Sequence, residues 1–445
     1  MTVEHETAER VTNEFNRRCQ NDVRYRSVML SASIPSPIRT AYDMTPRPFF
    51  ADRNAMEILG IDLRELLEIV VALPSRLFGA NISAYCSAIG LDEERTALVG
   101  RLPHAKPPTS GRADLNRVGP QFKLLEFNVN TGLGGADISQ VQHALMNSEP
   151  FAGFAAEFGL TYTDTMASRA ELLRHAASAV SEGREPFIAA VEADGTISTW
   201  EKTFRSIQAS LKQYGVDLAF GELSQLERRG GRVYLDGRPI DLMLRYFMVD
   251  QIVGDAVAQE TYEMVCQVSE EGGLVLHTPP TSHLSQNKAA IALLSDQRYR
   301  NAFSRAEREL IDRMVPWTRL LREGATDFED ERVDLMRFAV AHRRELVLKP
   351  NAEQGGRGVV AGWETEERAW TDLLRQSVGG PFIIQHRVEP TPEPVVHPDS
   401  GQLESVMPAW GVFFSENGFD GAFIRTAPSA IIGVPGTKRN ALFTV

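Results

Sequence analysis

The chain has 445 residues, of which 43% are hydrophobic and 24% charged, with a formal net charge of −12 and a pI of about 5.4. That length requires two or three subdomains rather than one small core, and the acidic balance argues against a nucleic-acid or anionic-membrane surface. Three scattered cysteines (Cys19, Cys86, Cys266), with no CxxC, exclude a disulfide framework and a Cys-rich zinc site and point to a reducing, cytoplasmic compartment.

The opening MTVEHETAERV is acidic and polar, unlike a signal peptide. Residues 1–45 begin as a charged helix and loosen into a Ser- and Pro-rich irregular arm, LSASIPSPIRTAYDMTPRP. From Asn54 to Phe78 the apolar residues recur at helical spacing, and short helices continue to Leu102 with Gly90 and Gly100 as breaks. KPPTSG, ending at Gly111, is a turn-rich link.

The following stretch, RADLNRVGPQFKLLEFNVNTGLGGAD, is the centre of interest. LLEFNVN has the two-residue period of a half-buried strand, with Leu125, Phe127 and Val129 on one face and Glu126, Asn128 and Asn130 on the other. Oxygen ligands at i and i+2 suit a hard cation such as Mg²⁺ when phosphates complete its shell. Asp114 stands twelve residues before Glu126, and an antiparallel neighbour brings it to the same ion. After Gly135, Asp137 reads as the N-cap of a helix.

A second helix runs from Thr163 to Gly183, followed by the strand FIAAVEADG, a helix near Thr203–Tyr214, and the strand VDLAFGEL. RVYLDGRPIDLMLRYF reads as a hairpin with Asp236–Gly237 as its turn. Strand, helix and strand in that order predict a small α/β subdomain with parallel pairing. Glu260–Glu271 is helical, LVLHTPP is a strand, a helix begins near Asn287, and Arg298–Arg322 reads as one long charged helix.

The last third is richer in strands. LVLKPNAEQGGRGVV places Lys349 on a strand and Gly355, Gly356 and Gly358 in the loop before a returning strand, a flap able to cover phosphates. It is not a Walker loop, which reads GxxxxGK[ST] and enters a helix. In FIIQHRVEP, Gln385 ends an apolar strand of the kind that offers backbone groups to an adenine edge. PAWGVFFSENGFDGAFIRTAP predicts two strands joined at Asn417–Gly418. The nine histidines form no HxxxH or HExxH pattern.

Lys349, the Gly355–Gly356 flap and Gln385 together resemble the ATP-grasp superfamily. The acidic strand precedes them here, an order similar to the circularly permuted group typified by glutathionylspermidine synthetase. The chain carries that group's R-x-D pair as Arg112–Asp114 and its K-x-x-E-x-N-x-D-T run as Lys123, Glu126, Asn128, Asn130 and Thr131. Gln286–Asn287–Lys288, Asp241 with Arg245, and Arg425 in AFIR complete the set. The resemblance implies an α/β (α+β) fold of ATP-grasp type, circularly permuted, with the nucleotide held between two β-rich subdomains.

Its implied parts are an N-terminal helical arm and cap (1–110), a metal-binding part (111–186), an α/β subdomain (187–280) and a nucleotide-binding part with flap, hinge and closing strands (281–445). It also implies Asp114, Glu126 and Asn128 as Mg²⁺ ligands, Lys288 and Lys349 on ATP phosphates under the Gly355–Gly356 flap, and Gln385 beside the adenine. Arg112, with Arg425 as helper, would neutralise the transferred phosphoryl. The chain departs from the group at Gln354, where the flap often has Arg, and at Asn130, which replaces Asp.

The implied activity is an ADP-forming C–N ligase that joins a small-molecule carboxylate to an amine through an acyl phosphate. No nucleic acid or membrane is implied, and a homodimer is left open. Arg47 or Arg245 is available on this reading to hold a substrate carboxylate. Two other readings stand beside it. One is an ATP-grasp scaffold retained for binding or regulation after losing catalysis. The other is a dinucleotide-binding oxidoreductase using Gly132, Gly134 and Gly135, which the polar Glu126 and Asn128 oppose, since a Rossmann first strand is buried on both faces.

Overall fold

The computed structural model describes residues 3–129, 134–329, 331–353, 355–427 and 437–445. Helix α1 (Val3–Asn21) is followed by short helices, including Ser36–Ala41 within the stretch expected to be irregular, where Pro37 fills a first-turn position that needs no N–H. Strand β1 (Phe49–Ala51) leads into α2 (Arg53–Phe78), whose start is capped by Asp52 accepting from the Ala55 N–H and whose end is a left-handed Gly79. Two short helices, Ile82–Ala88 and Glu93–Val99, precede the antiparallel pair β2 (Gly111–Val118) and β3 (Gln121–Asn128).

Then come α3 (Ser139–Met146), α4 (Phe151–Phe158) and α5 (Thr165–Ser181). The α/β region follows as β4 (Ile188–Glu192), α6 (Ile197–Gln213), β5 (Leu218–Glu222), β6 (Leu242–Arg245), α7 (Ala256–Glu270) and β7 (Val275–Leu276). Asp236 and Gly237 both take positive φ in the expected turn, but the hairpin is short, and Leu242 onward leaves it for the parallel sheet.

Asn287 caps α8 (Lys288–Ser295). The expected helix over Arg298–Arg322 is divided: a 3₁₀ turn at Gln297–Ala302, α9 (Arg305–Met314) begun by a Ser304–Glu307 capping box, and β8 (Thr318–Leu320) after Pro316. The remaining elements are β9 (Leu346–Pro350), β10 (Val360–Ala361), α10 (Glu367–Ser377), β11 (Phe382–His386), β12 (Glu393–Val396), β13 (Leu403–Ser415), β14 (Gly418–Ala427) and β15 (Lys438–Thr444).

Three sheets carry the architecture. The largest has the order β1-β15-β14-β13-β2-β3, with β12 on β13. It takes strands from residues 49–51, 111–128 and 393–444, so the parts expected from the sequence interlock rather than lying side by side. The second is parallel, in the order β7-β6-β4-β5. The third is antiparallel, β8-β11-β9-β10, and carries the flap.

One face of the large sheet packs Leu115, Leu124, Phe127, Trp410 and Ile424 against Leu63, Leu66 and Val70 of α2. Its other face packs Phe413, Phe423 and Phe443 towards α1, α4 and the edge of the parallel sheet. Smaller cores lie under α7 and between the flap sheet and α10. No helix among the described residues is long and apolar enough to cross a membrane.

Candidate active site

The two acidic strands meet as the spacing suggested. Asp114 of β2 lies directly opposite Glu126 of β3, and Arg112 opposite Asn128. A β-bulge follows, pairing Leu115 with Leu124, so Leu125 is the extra residue. Leu124 and Phe127 therefore enter the core while Leu125 stays half-buried, a departure from the simple alternation expected over Leu125, Phe127 and Val129.

Around Asp114 the structure gathers arginines. Arg112 Nε and Nη2 donate to its two carboxylate oxygens at 2.8 and 3.3 Å, and Arg425 Nη2 approaches Oδ2 at 2.8 Å. Burial would raise the Asp114 pKa, but the two guanidiniums outweigh it and hold the group well below the usual carboxylate range. Arg112 also donates to Gly134 O at 2.8 Å. The Phe423 ring lies under three guanidiniums, with the Cζ atoms of Arg112, Arg425 and Arg439 at 5.4, 5.3 and 5.9 Å from its centroid.

Arg439 carries no motif, yet it stands directly opposite Arg425 in the β14–β15 ladder. Like charges opposite one another disfavour a sheet; here Asp114 offsets the pair on the Arg425 side. Sequence alternation within KRNALFT was the available signal, because it sets Arg439, Ala441 and Phe443 on one face.

Lys288 joins the acidic strands to the flap. Its Nζ sits 3.0 Å from Glu126 Oε2 and donates to Glu353 O in the flap at 2.7 Å, while its backbone N–H donates to Asn351 O at 2.9 Å. Lys349 is buried on β9 with its Nζ donating to Gln385 Oε1 at 2.6 Å; Gln385 Nε2 in turn donates to Thr318 Oγ1 at 3.0 Å. Burial lowers the Lys349 pKa to about 8, Glu126 and Asp114 opposing the fall and Lys288 adding to it. Groups from residues 114–126 thus act on the same ammonium as Lys288, and Lys288 bridges the acidic strands and the flap. The Gln385 side chain is engaged by Lys349 and Thr318, and its backbone lies in a strand paired on both sides, with Thr318 and Val347 as its partners. The flap turns through Gly355 and Gly356 at φ +64° and +75°; Gln354 and residues 130–133, including Asn130, Thr131 and Gly132, lie outside the described residues.

Other motif residues serve the fold. Lys123 donates to the carbonyls of Asp312 and Arg313, closing the end of α9. Asp241 pairs with Arg184 and Arg232 and accepts from the Phe187 N–H. Arg47 is buried against Glu393 and the carbonyls of Pro48 and Pro394, and Arg245 donates to the carbonyls of Thr278 and Phe247. Asp137 does not cap a helix: a 3₁₀ turn intervenes, and its buried carboxylate accepts from the Tyr42 and Ser206 hydroxyls.

Asp114, Glu126 and Asn128 offer oxygen only, and no group of three or more His, Cys, Asp or Glu side chains poised for a metal occurs among the described residues. Two carboxylates and an amide are too few for a closed cage but suit Mg²⁺, which keeps water and phosphate ligands. Asn128 Nδ2 is buried without a hydrogen-bond partner among the described residues. The donor set fits the ion.

No family model matches the sequence, and no curated protein matches it. Among solved structures, a glutathione synthetase-like effector from Globodera pallida, in its apo form, aligns with 98% of this chain and 98% of its own at a TM-score of 0.56 and 13% identity. A proposed gamma-glutamylcysteine synthetase from Methylobacillus flagellatus aligns over 89% of each chain at a TM-score of 0.43 and 13% identity. At such identity the likeness is one of architecture: from end to end, this chain has an α/β fold similar to that of the glutathione synthetase-like effector.

Proposed function

We propose that the chain is an ATP-dependent carboxylate–amine ligase built on a circularly permuted ATP-grasp fold. The observation that carries this reading is Lys288, which touches the Glu126 carboxylate and the flap carbonyl of Glu353 at once. With Arg112 and Arg425 on Asp114, and Asp114 opposite Glu126, it supports a site with the charges that a triphosphate and a transferred phosphoryl require.

Asp114, Glu126 and Asn128 would hold Mg²⁺, which supplies charge neutralisation to the phosphates when bound. Lys288 and Lys349 bind the phosphates, and the flap excludes water. A substrate carboxylate oxygen attacks the γ-phosphorus, the bond to the β-phosphate bridging oxygen breaks, and ADP leaves. Arg112 and Arg425 neutralise the charge that spreads over the phosphoryl oxygens. An amine nitrogen then attacks the acyl carbon, the amide bond forms, phosphate departs, and the amine proton passes to a base. Water exclusion matters because an acyl phosphate hydrolyses readily.

A second reading rests on the ion pairs themselves. Asp114 is held by two arginines and Glu126 by Lys288, the arrangement of a scaffold that binds nucleotide without turnover. Incubation with MgATP and paired panels of acids and amines separates the two. ADP and phosphate release in equal amounts, with an amide found by mass spectrometry, identifies the ligase; nucleotide binding without release for any pair identifies the scaffold.

A further inference from the structure

The large sheet carries a cation that the phosphoryl chemistry does not use. Residues opposite one another in an antiparallel ladder share a face. One such row runs through Glu126, Asp114, Gly411 and Phe423 across β3, β2, β13 and β14. The next runs through Ala409, Arg425 and Arg439 across β13, β14 and β15. The middle of this face is low, because Ala409 and Gly411 are small; a Cβ on Gly411 would stand 2.4 Å from the Phe423 ring. Arg425 therefore reaches over β13 to Asp114 on β2. Arg439 lies one strand further out, about 5 Å beyond Arg425 and on the side away from Glu126 and Lys288.

Arg439 is held in place by the N-terminal arm. Its backbone pairs with Arg425 on one side and is bridged to Met44 on the other, where its N–H donates to Asp43 O at 2.7 Å. The neighbouring Asn440 side chain donates to the carbonyls of Thr45 and Arg47, which ties the same strand to the same arm. The Arg439 guanidinium lies over the Tyr42 ring, with Cζ 4.2 Å from the centroid. Tyr42 is itself fixed, because its hydroxyl donates to the Asp137 carboxylate at 2.8 Å.

Its charge is not matched as its position is. Asp114 takes both Arg112 and Arg425, whereas no carboxylate oxygen comes within 4.0 Å of the Arg439 guanidinium among the described residues. Asp137 is the acid on which Arg439 acts from further off, but that carboxylate already accepts from the Tyr42 and Ser206 hydroxyls, and burial pushes its pKa up. Residues 428–436, which lead into β15, contain no acid. Arg439 is half-buried rather than sealed, so a ligand can touch it.

In-line phosphoryl transfer needs the attacking oxygen on the side of the phosphorus away from the leaving ADP. With ADP towards Lys288 and Glu126 and the phosphoryl at Arg112 and Arg425, that side belongs to Arg439. Two anions must also meet there, and a guanidinium beside the incoming one offsets their repulsion. We infer that Arg439, held on Tyr42, binds the reacting carboxylate of the acid substrate and presents it to the phosphoryl. The inference rests on the ligase reading and adds to it a residue that no motif carries. The carboxylate oxygen forms its bond to phosphorus as the bond to the β-phosphate bridging oxygen breaks, and Arg439 neither gives nor takes a proton.

Two stable probes test it without turnover. Phosphonoacetate joins a carboxylate and a phosphonate through one carbon, and methylphosphonate lacks the carboxylate. Each is titrated calorimetrically into the full chain, alone and saturated with MgADP. With MgADP present, the wild type is expected to bind phosphonoacetate at least about tenfold more tightly than methylphosphonate. Arg439→Gln should reduce that preference to about twofold and Arg439→Lys should keep part of it, while both leave MgADP affinity within about twofold of wild type. Melting curves check that the variants fold, and the lysine variant, which keeps the charge, serves should Arg439→Gln fail. An unchanged preference in Arg439→Gln, equal loss of both probes, or no binding of phosphonoacetate by the wild type under either condition overturns the inference. Any of these with MgADP still bound leaves the ligase reading standing; absence of MgADP binding by the wild type is the failure of that reading.

Discussion

Glu126 is the residue on which the phosphoryl site turns, since it faces both Asp114 across the ladder and Lys288 of α8. Its side chain is only partly buried, and Lys288 keeps its bond to Glu353 O when the carboxylate is removed. Glu126→Ala should therefore lower ADP release by about a hundredfold to a thousandfold. The melting temperature should move by no more than about 4 °C. Turnover within twofold of wild type would remove Glu126 from the site.

Lys349 gives a pH dependence with a definite sign. Its pKa of about 8 lies below the ordinary 10.5, so the ammonium is lost as pH rises through 8, and phosphate binding is lost with it. MgATP affinity should hold from pH 6 to 7.5 and fall by up to about tenfold per unit above 8. Lys349→Arg should abolish the slope, because guanidinium does not titrate there. Calorimetry across that range decides it, and a flat profile for the wild type would place Lys349 away from the phosphates.

At the scale of elements, the helix α2 shows how close approach is written into sequence. Gly60 lies where α2 meets the β13–β14 turn, and a Cβ there would stand 2.1 Å from the Phe419 backbone nitrogen. Gly60→Ala should destabilise the chain by about 2–4 kcal/mol, read as a shift in denaturation midpoint with an unchanged slope.

Much at this scale was legible: the α2 periodicity, the Asp236–Gly237 turn, the flap strands and the Asp114–Glu126 pairing all rest on local spacing. The bulge at Leu125 was not, because an extra residue in one strand leaves no mark on alternation until its partner is known. The stretch Arg298–Arg322 misled through its charge; Ser304, Glu307 and Pro316 were the punctuation that divides it. Arg169 carried no signal at all, since an arginine on an amphipathic helix is ordinarily solvated, and only the fold reveals that α5 buries it. Asp137 read as a cap by its position after glycines, whereas long-range contacts with Tyr42 and Ser206 decide its role.

For the whole molecule, a ligand that binds between the acidic strands and the flap adds to the link that Lys288 already makes between them. MgATP at about a hundred times its Kd should stabilise the native state by about 2.7 kcal/mol. A thermal scan should then show a Tm higher by a few degrees, and Glu126→Ala should show a smaller shift. No shift at saturating nucleotide would argue that this site does not hold a triphosphate.

The outermost pairing of the large sheet joins β1 near the start of the chain to β15 at its close, in parallel register from Phe49–Leu442 to Ala51–Thr444. β15 also carries Arg439 into register with Arg425. During synthesis, then, the part of the sheet that sets Arg425 opposite Arg439 stays unfinished until β15 has left the ribosome. Until that moment β14 offers an open edge, and the emerging polypeptide must be kept from pairing with other chains there.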